Sequence, residues 1–165
     1  MEFITVLATA GGSMSRDGLH HRIYERDISG STLPTLAYRA RRLGISVRYE
    51  ALGRRYSLAE SVTVDALEVL RLLKEGKAAD ALILYRGPCL PESDSPFVVS
   101  LRQTIEDKLV RAVLDSGDQE LIKAASRMID HWELAEPAAV GDDPFSAVLS
   151  DAYLRSMGLS FGEQR

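Results

Sequence analysis

From the N-terminus, short apolar blocks alternate with glycine and polar breaks. Glu2–Ala10 (EFITVLATA) predicts a short helix, stopped by Gly11-Gly12 because glycine accepts the left-handed backbone that ends helices. Ser13-Met14 reads as a brief extended link. Ser15 suits an N-cap, which places Asp17 in a first turn where the helix dipole favours an anion. A second helix is predicted over Arg16–Glu25, with Leu19 and Ile23 as its apolar stripe. Asp27–Thr32 is turn chemistry, and Ser31 or Thr32 caps a third helix ending at Gly44. Pro34 fits only because it falls in the first turn. Leu33, Leu36, Ala40 and Leu43 share one face of that helix, and Pro34, Tyr38, Arg41 and Arg42 point away from it. Ile45, Val47 and Tyr49 then alternate like a strand, Glu50–Gly53 turns, and Tyr56 and Leu58 alternate on a return strand.

The remainder reads as helical. Val64–Lys74 carries Val64, Leu67, Val69 and Leu70 on an apolar face, and Gly76 ends it. Ala78–Arg86 follows and stops at Gly87-Pro88, with Pro91–Pro96 as a loop. Phe97–Leu114 is the longest predicted helix, with Val98, Leu101, Ile105, Leu109 and Val113 at helical spacing. Ser116-Gly117-Asp118 breaks it, and Glu120–Leu134 forms another, with Trp132 expected as a core anchor alongside Tyr85. Ala135–Asp143 reads as a linker, Pro144–Met157 as a last helix and Gly158–Arg165 as a frayed tail. Paired helices of this size suggest a helical-hairpin array, although no exact repeat is present.

Composition sets bounds. The 165 residues are 45% hydrophobic and 27% charged, close to the globular average. No apolar run approaches the ~18–20 residues of a membrane span, and no basic secretory start is visible, so no membrane association is expected. The single cysteine, Cys89, excludes an internal disulfide and a cysteine-built metal site, which makes a reducing cytoplasm the simplest compartment. The net charge of −4 hides a division. Residues 1–58 hold nine arginines against five acids, whereas residues 59–165 hold 11 bases against 19 acids. Overall acidity argues against a nucleic-acid partner, and the basic first part reopens that question.

Sites of chemistry are hard to assemble. His20 and His21 are adjacent, so they point about 100° apart on a helix and do not form the i, i+4 pair of a helical zinc site. Ser13, Ser15 and Ser31 lack a GxSxG setting, and Gly11-Gly12 belongs to no phosphate loop. Glu92, Asp94 and Asp118 lack calcium-loop spacing, and Cys89 beside Pro88 reads as a small packed residue. No catalytic arrangement, metal or cofactor is expected.

Several stretches together resemble a known layout. Ser15-Arg16-Asp17-Gly18-Leu19 is similar to the start of the second helix in the response-regulator type of winged helix-turn-helix. Arg39-Ala40-Arg41-Arg42-Leu43-Gly44 resembles the end of its recognition helix, and Gly53-Arg54-Arg55-Tyr56-Ser57-Leu58 resembles its wing strand. Ala81–Leu90 (ALILYRGPCL) is close to a signature of the bacterial transcriptional activator domain, a tetratricopeptide-like helical unit. That order, over about residues 3–135, is that of antibiotic-regulatory-protein-type transcriptional activators. The sheet that precedes the first helix in that family has no counterpart here.

The resemblance implies a mostly α fold: a winged helix-turn-helix over residues 1–61 with a β-hairpin wing, then tetratricopeptide-like helical hairpins over 62–135, and a linker, last helix and tail over 136–165. It implies a DNA-binding transcriptional regulator that inserts residues 32–43 into a major groove, with wing residues 48–56 on the flanking backbone. Tyr38 and Arg41 would face base edges. Arg42, with Arg39 at the flank, would reach phosphates, as would Thr32 and Thr35 near the helix start. Arg48, Arg54 and Arg55 flank the hairpin tip and would enter a minor groove or grip phosphate. The acidic helices would hold a second copy, giving a dimer, or a transcription-machinery partner. The opposing reading is a protein–protein interaction module with a degenerate winged helix, its arginines a solvated face and edge-strand charges.

Overall fold

The computed structural model describes residues 1–24 and 32–139. Among these the chain is mostly helical, with one small three-stranded antiparallel sheet. The expected helix end at Glu25, the turn and cap over residues 27–31, the helix over 144–157 and the tail lie outside the described residues. By contact density the chain forms two compact units that are discontinuous in sequence. One comprises residues 1–68 and 88–104, the other residues 69–87 and 105 onwards. This partition differs from a cut at residue 61.

The first unit opens with α1 (Glu2–Thr9), whose Phe3, Ile4, Thr5, Val6 and Leu7 are all buried. A helix apolar nearly all round belongs inside a core. It ends at Gly11 and Gly12, both with positive φ, and the Gly12 N–H donates to the Leu7 carbonyl at 2.8 Å. The expected link is strand β1 (Ser13–Ser15). Three residues are too few to show alternation, and its pairing comes from a partner some forty residues on. Ser15 does cap α2 (Arg16–Ile23): its Oγ accepts the Gly18 N–H at 3.1 Å.

Helix α3 (Thr32–Arg42) buries Leu33, Ala37 and Ala40, with Leu36 packed at the edge of the same core. Leu43 departs from expectation and is 69% exposed. The helix stops at Arg42 and Gly44 turns left-handed, so Leu43 leaves the helical phase that would have buried it. Strands β2 (Val47–Glu50) and β3 (Arg55–Leu58) form the expected hairpin, and β3 is central in the order β1-β3-β2. Tyr56 pairs with Tyr49 on one side and Met14 on the other, and its ring meets Phe3 edge-on at 5.4 Å. This unit also takes in a downstream segment. Ser95 Oγ donates to the Arg22 carbonyl at 3.0 Å, Ser93 Oγ donates to Glu2 Oε1, and the Arg22 guanidinium lies over the Phe97 ring.

The second unit is helical. Helix α4 (Asp65–Lys74) begins in the first unit, and its Val69 is buried here. Helix α5 (Ala78–Leu84) buries Ala78, Ala81 and Leu82. The part of α6 (Pro96–Ser116) that lies here buries Ile105, Leu109, Val110 and Val113. Tyr85 is buried as expected, and its hydroxyl donates to Glu106 Oε1 at 3.1 Å. Asp118 caps α7 (Gln119–Ser126) by accepting the Glu120 and Leu121 N–H groups.

The predicted single helix over 120–134 is two. α7 ends at Ser126 and α8 covers Trp132–Ala139, taking in residues expected as linker. No glycine or proline marks this break. His131 Nδ1 accepts the Glu133 N–H at 3.3 Å, giving the backbone a local alternative to helical bonding. Trp132 opens α8 at 55% exposure and is therefore not the core anchor that was expected; Leu134 fills that role.

Candidate nucleic-acid interface

The cationic face of α3 follows from its buried one. At 3.6 residues per turn, burying Leu33, Ala37 and Ala40 turns Thr35, Tyr38 and Arg42 outward within about 60° of one another. Tyr38 is 57% exposed. Arg39 and Arg41 occupy opposite flanks, and Thr32 is half-buried at the helix start. Arg39 lies near Tyr24, whose phenol is pushed up by burial and by the Glu2 charge and drawn down by the Arg39 charge.

Arg41 is the most constrained of these side chains. Its Nε donates to the Val47 carbonyl at 2.9 Å and so ties the end of α3 to the start of β2. The neighbouring Ser46 carbonyl accepts the Ala59 N–H across the hairpin, so by strand alternation the Val47 carbonyl points to the open edge of β2. Among the described residues no strand pairs that edge, and the Arg41 guanidinium meets it instead.

The hairpin arginines diverge from the helix. Val47, Tyr49, Tyr56 and Leu58 share the sheet face toward α3, so Arg48 and Arg55 lie on the opposite face. Arg55 Nε and Nη2 both reach Ser13 Oγ at 3.4 Å on that face. Arg54, at φ +46°, turns its side chain back to Asp17, with Nη2 and Oδ1 at 3.4 Å. Its carbonyl accepts the Arg16 N–H at 2.7 Å, which anchors the hairpin to the start of α2. Thus the structure brings Thr35, Tyr38 and Arg42 together, flanked by Arg39 and Arg41, and sets Arg48 and Arg55 apart from them. The outermost apolar group at the hairpin tip is Leu52, fully exposed.

Sequence reasoning did not single out the cleft between α3 and the sheet. It measures about 310 Å³ and is lined by Arg16, Pro34, Ala37, Arg41, Tyr49 and Tyr56. The Tyr49 and Tyr56 rings lie 4.7 Å apart. The alternation of Val47 with Tyr49 and of Tyr56 with Leu58 was the signal that placed both tyrosines on one face. Elsewhere, among the described residues, no group of three or more His, Cys, Asp or Glu side chains is arranged to hold a metal ion. Half-buried Cys89 has its thiol pushed up by burial, against a reactive thiolate. No helix among the described residues is long and apolar enough to cross a membrane.

A scan against known protein families finds no match. Among curated proteins, the chain is similar to an uncharacterised 47.3 kDa protein in the thcA 5′ region of Rhodococcus erythropolis, 28% identical over 121 residues. The aligned stretch covers 73% of this chain and 27% of that relative, so the match spans about a quarter of the relative's length.

Proposed function

We propose that the chain is a DNA-binding transcriptional regulator of the winged helix-turn-helix kind, joined to tetratricopeptide-like helices. The observation that carries this reading is the outward face of α3, where Thr35, Tyr38 and Arg42 stand clear of a helix firmly seated on a core. The order α1-β1-α2-α3-β2-β3 with sheet order β1-β3-β2 supports it, as does the excess of arginine before residue 59. In this reading α3 enters a major groove. Tyr38 and Arg42 face base edges, since Arg presents a two-pronged donor to guanine. Arg39 and the threonines contact phosphate. Arg41 positions the hairpin and adds one charge. The acidic helices hold a second copy or a protein partner, in the cytoplasm.

The second reading, an interaction module that does not bind DNA, draws on Arg54 and Arg55, whose guanidiniums are engaged with Asp17 and Ser13. Fluorescence anisotropy of a labelled random duplex, at low and at moderate salt, separates the two. DNA binding predicts an affinity that falls with salt and drops in Arg42→Ala. Absence of binding at every salt, by protein shown to be folded, rejects it in favour of the interaction module.

A further inference from the structure

The cleft between α3 and the sheet combines features that the DNA reading leaves unused. Tyr56 is 3% exposed and lines this cleft. Two guanidiniums, Arg16 and Arg41, line the same space, and among the described residues no acidic side chain does. Both cations lie within electrostatic reach of the Tyr56 phenol: burial and Tyr49 push it up, while Arg16 and Arg41 draw it down. Arg41 is held by its bond to the Val47 carbonyl, so its charge is oriented before any ligand arrives. The rest of the lining is flat and apolar: the Tyr49 and Tyr56 rings, Pro34 and Ala37. At about 310 Å³ the volume suits a small organic molecule.

We propose that this cleft binds a small aromatic carboxylate, its carboxylate meeting Arg16, Arg41 and the Tyr56 hydroxyl and its ring lying against Tyr49, Pro34 and Ala37. Arginine accepts carboxylates through paired, charge-assisted bonds, and phenol O–H donates well to an anion. The ring supplies what a bare anion lacks, contact with the apolar walls. The inference does not depend on DNA binding, because no nucleic acid takes part in its test.

The test is a calorimetric titration of the full chain with benzoate, with benzamide as a neutral isostere and inorganic phosphate as a ringless anion. The expected result is saturable one-to-one binding of benzoate, with benzamide weaker by about tenfold or more. Tyr56→Phe keeps the ring against Phe3 and Tyr49 and removes only the hydroxyl, so benzoate should bind about three- to tenfold more weakly. Arg16→Gln, checked for fold by circular dichroism, should weaken it similarly, which keeps the proposal testable if Tyr56→Phe perturbs packing. The proposal is overturned if benzoate shows no saturable binding, if benzamide or phosphate binds as tightly as benzoate, or if both variants bind benzoate like the parent chain.

Discussion

Arg41 and Arg42 are adjacent arginines in the last turn of α3, and the structure gives them different work. Arg41 donates to the open-edge carbonyl of Val47, while Arg42 makes no intramolecular hydrogen bond among the described residues. A hydrogen bond from a charged donor contributes about 1.5–3 kcal/mol when shielded. Arg41 is exposed, so water reaches the Val47 carbonyl once the side chain is gone, and about 1 kcal/mol is the expected cost of Arg41→Ala. For a chain of this length that corresponds to about 2–4 °C in Tm. Arg42→Ala should stay within about 0.5 kcal/mol, as surface substitutions without partners do. Both residues sit at the helix C-terminus, so the lost interaction with the helix dipole cancels between them. Thermal unfolding of both variants by circular dichroism measures the difference. In the proposed DNA complex the order reverses. Arg42→Ala should cost about 1–3 kcal/mol and relax base preference, whereas Arg41→Ala should weaken binding without changing the preferred site. Equal Tm shifts, or a larger shift for Arg42→Ala, would refute the assignment of Arg41 as the strut between α3 and β2.

Two further outcomes test the packing. Tyr56 and Tyr85 both have phenols pushed above their ordinary value by burial, with Glu106 adding to the shift at Tyr85. The unfolded chain then ionises first, so stability is fully present below about pH 10 and falls as pH rises beyond it, by up to about 1.4 kcal/mol per pH unit for each phenol. Urea midpoints measured across that range should drop and should drop less steeply in Tyr85→Phe; a flat profile would exclude the effect. A fragment ending at residue 61 loses Ser93, Ser95 and Phe97, which hold Glu2, Arg22 and the edge of the core in the first unit. It should melt lower than the whole chain and show poor amide dispersion by NMR, and a well-dispersed spectrum would mean that residues 88–104 are dispensable for folding.

What the sequence made legible tracks how local each cause is. The helices up to Ser116 and the hairpin are written in apolar spacing, caps and glycines, and Ser15 even caps the turn it was assigned. Strand β1 escaped because its reason for existing is β3, and three residues carry no period of their own. The break at residues 127–131 escaped because buried positions at Ile122, Ala125 and Ile129 keep helical spacing right up to it. Side-chain partners were the least readable. The pairings of Arg54 with Asp17 and of Arg55 with Ser13 span 37 and 42 residues, and only the sheet register brings them together. The alternation of the hairpin did hold one answer in advance: if Tyr49 and Tyr56 face inward, Arg48 and Arg55 face out.

That alternation bears directly on how strongly the proposed DNA binding should depend on salt. Counting arginines before residue 59 suggests nine cations for phosphate. The structure thins that number: Arg22 lies over Phe97, Arg54 meets Asp17, and Arg48 and Arg55 are on the sheet face away from α3. Arg16 lies in the cleft between α3 and the sheet, Arg26 lies outside the described residues, and Arg39, Arg41 and Arg42 remain on α3. Each neutralised phosphate contributes about 0.9 to the slope of log K against log salt, so Arg39 and Arg41, with Arg42 on base edges, predict a slope near −2. Recruitment of the three hairpin arginines as well would steepen it to about −4.5. Anisotropy titrations over a range of salt concentrations give this slope directly. A shallow slope, unchanged by Arg48→Ala but reduced by about 1 in Arg39→Ala, is the signature of a helix that binds without the hairpin. A steep slope that falls in Arg48→Ala and Arg55→Ala would mean that the hairpin reorients on DNA, releasing Arg55 from Ser13.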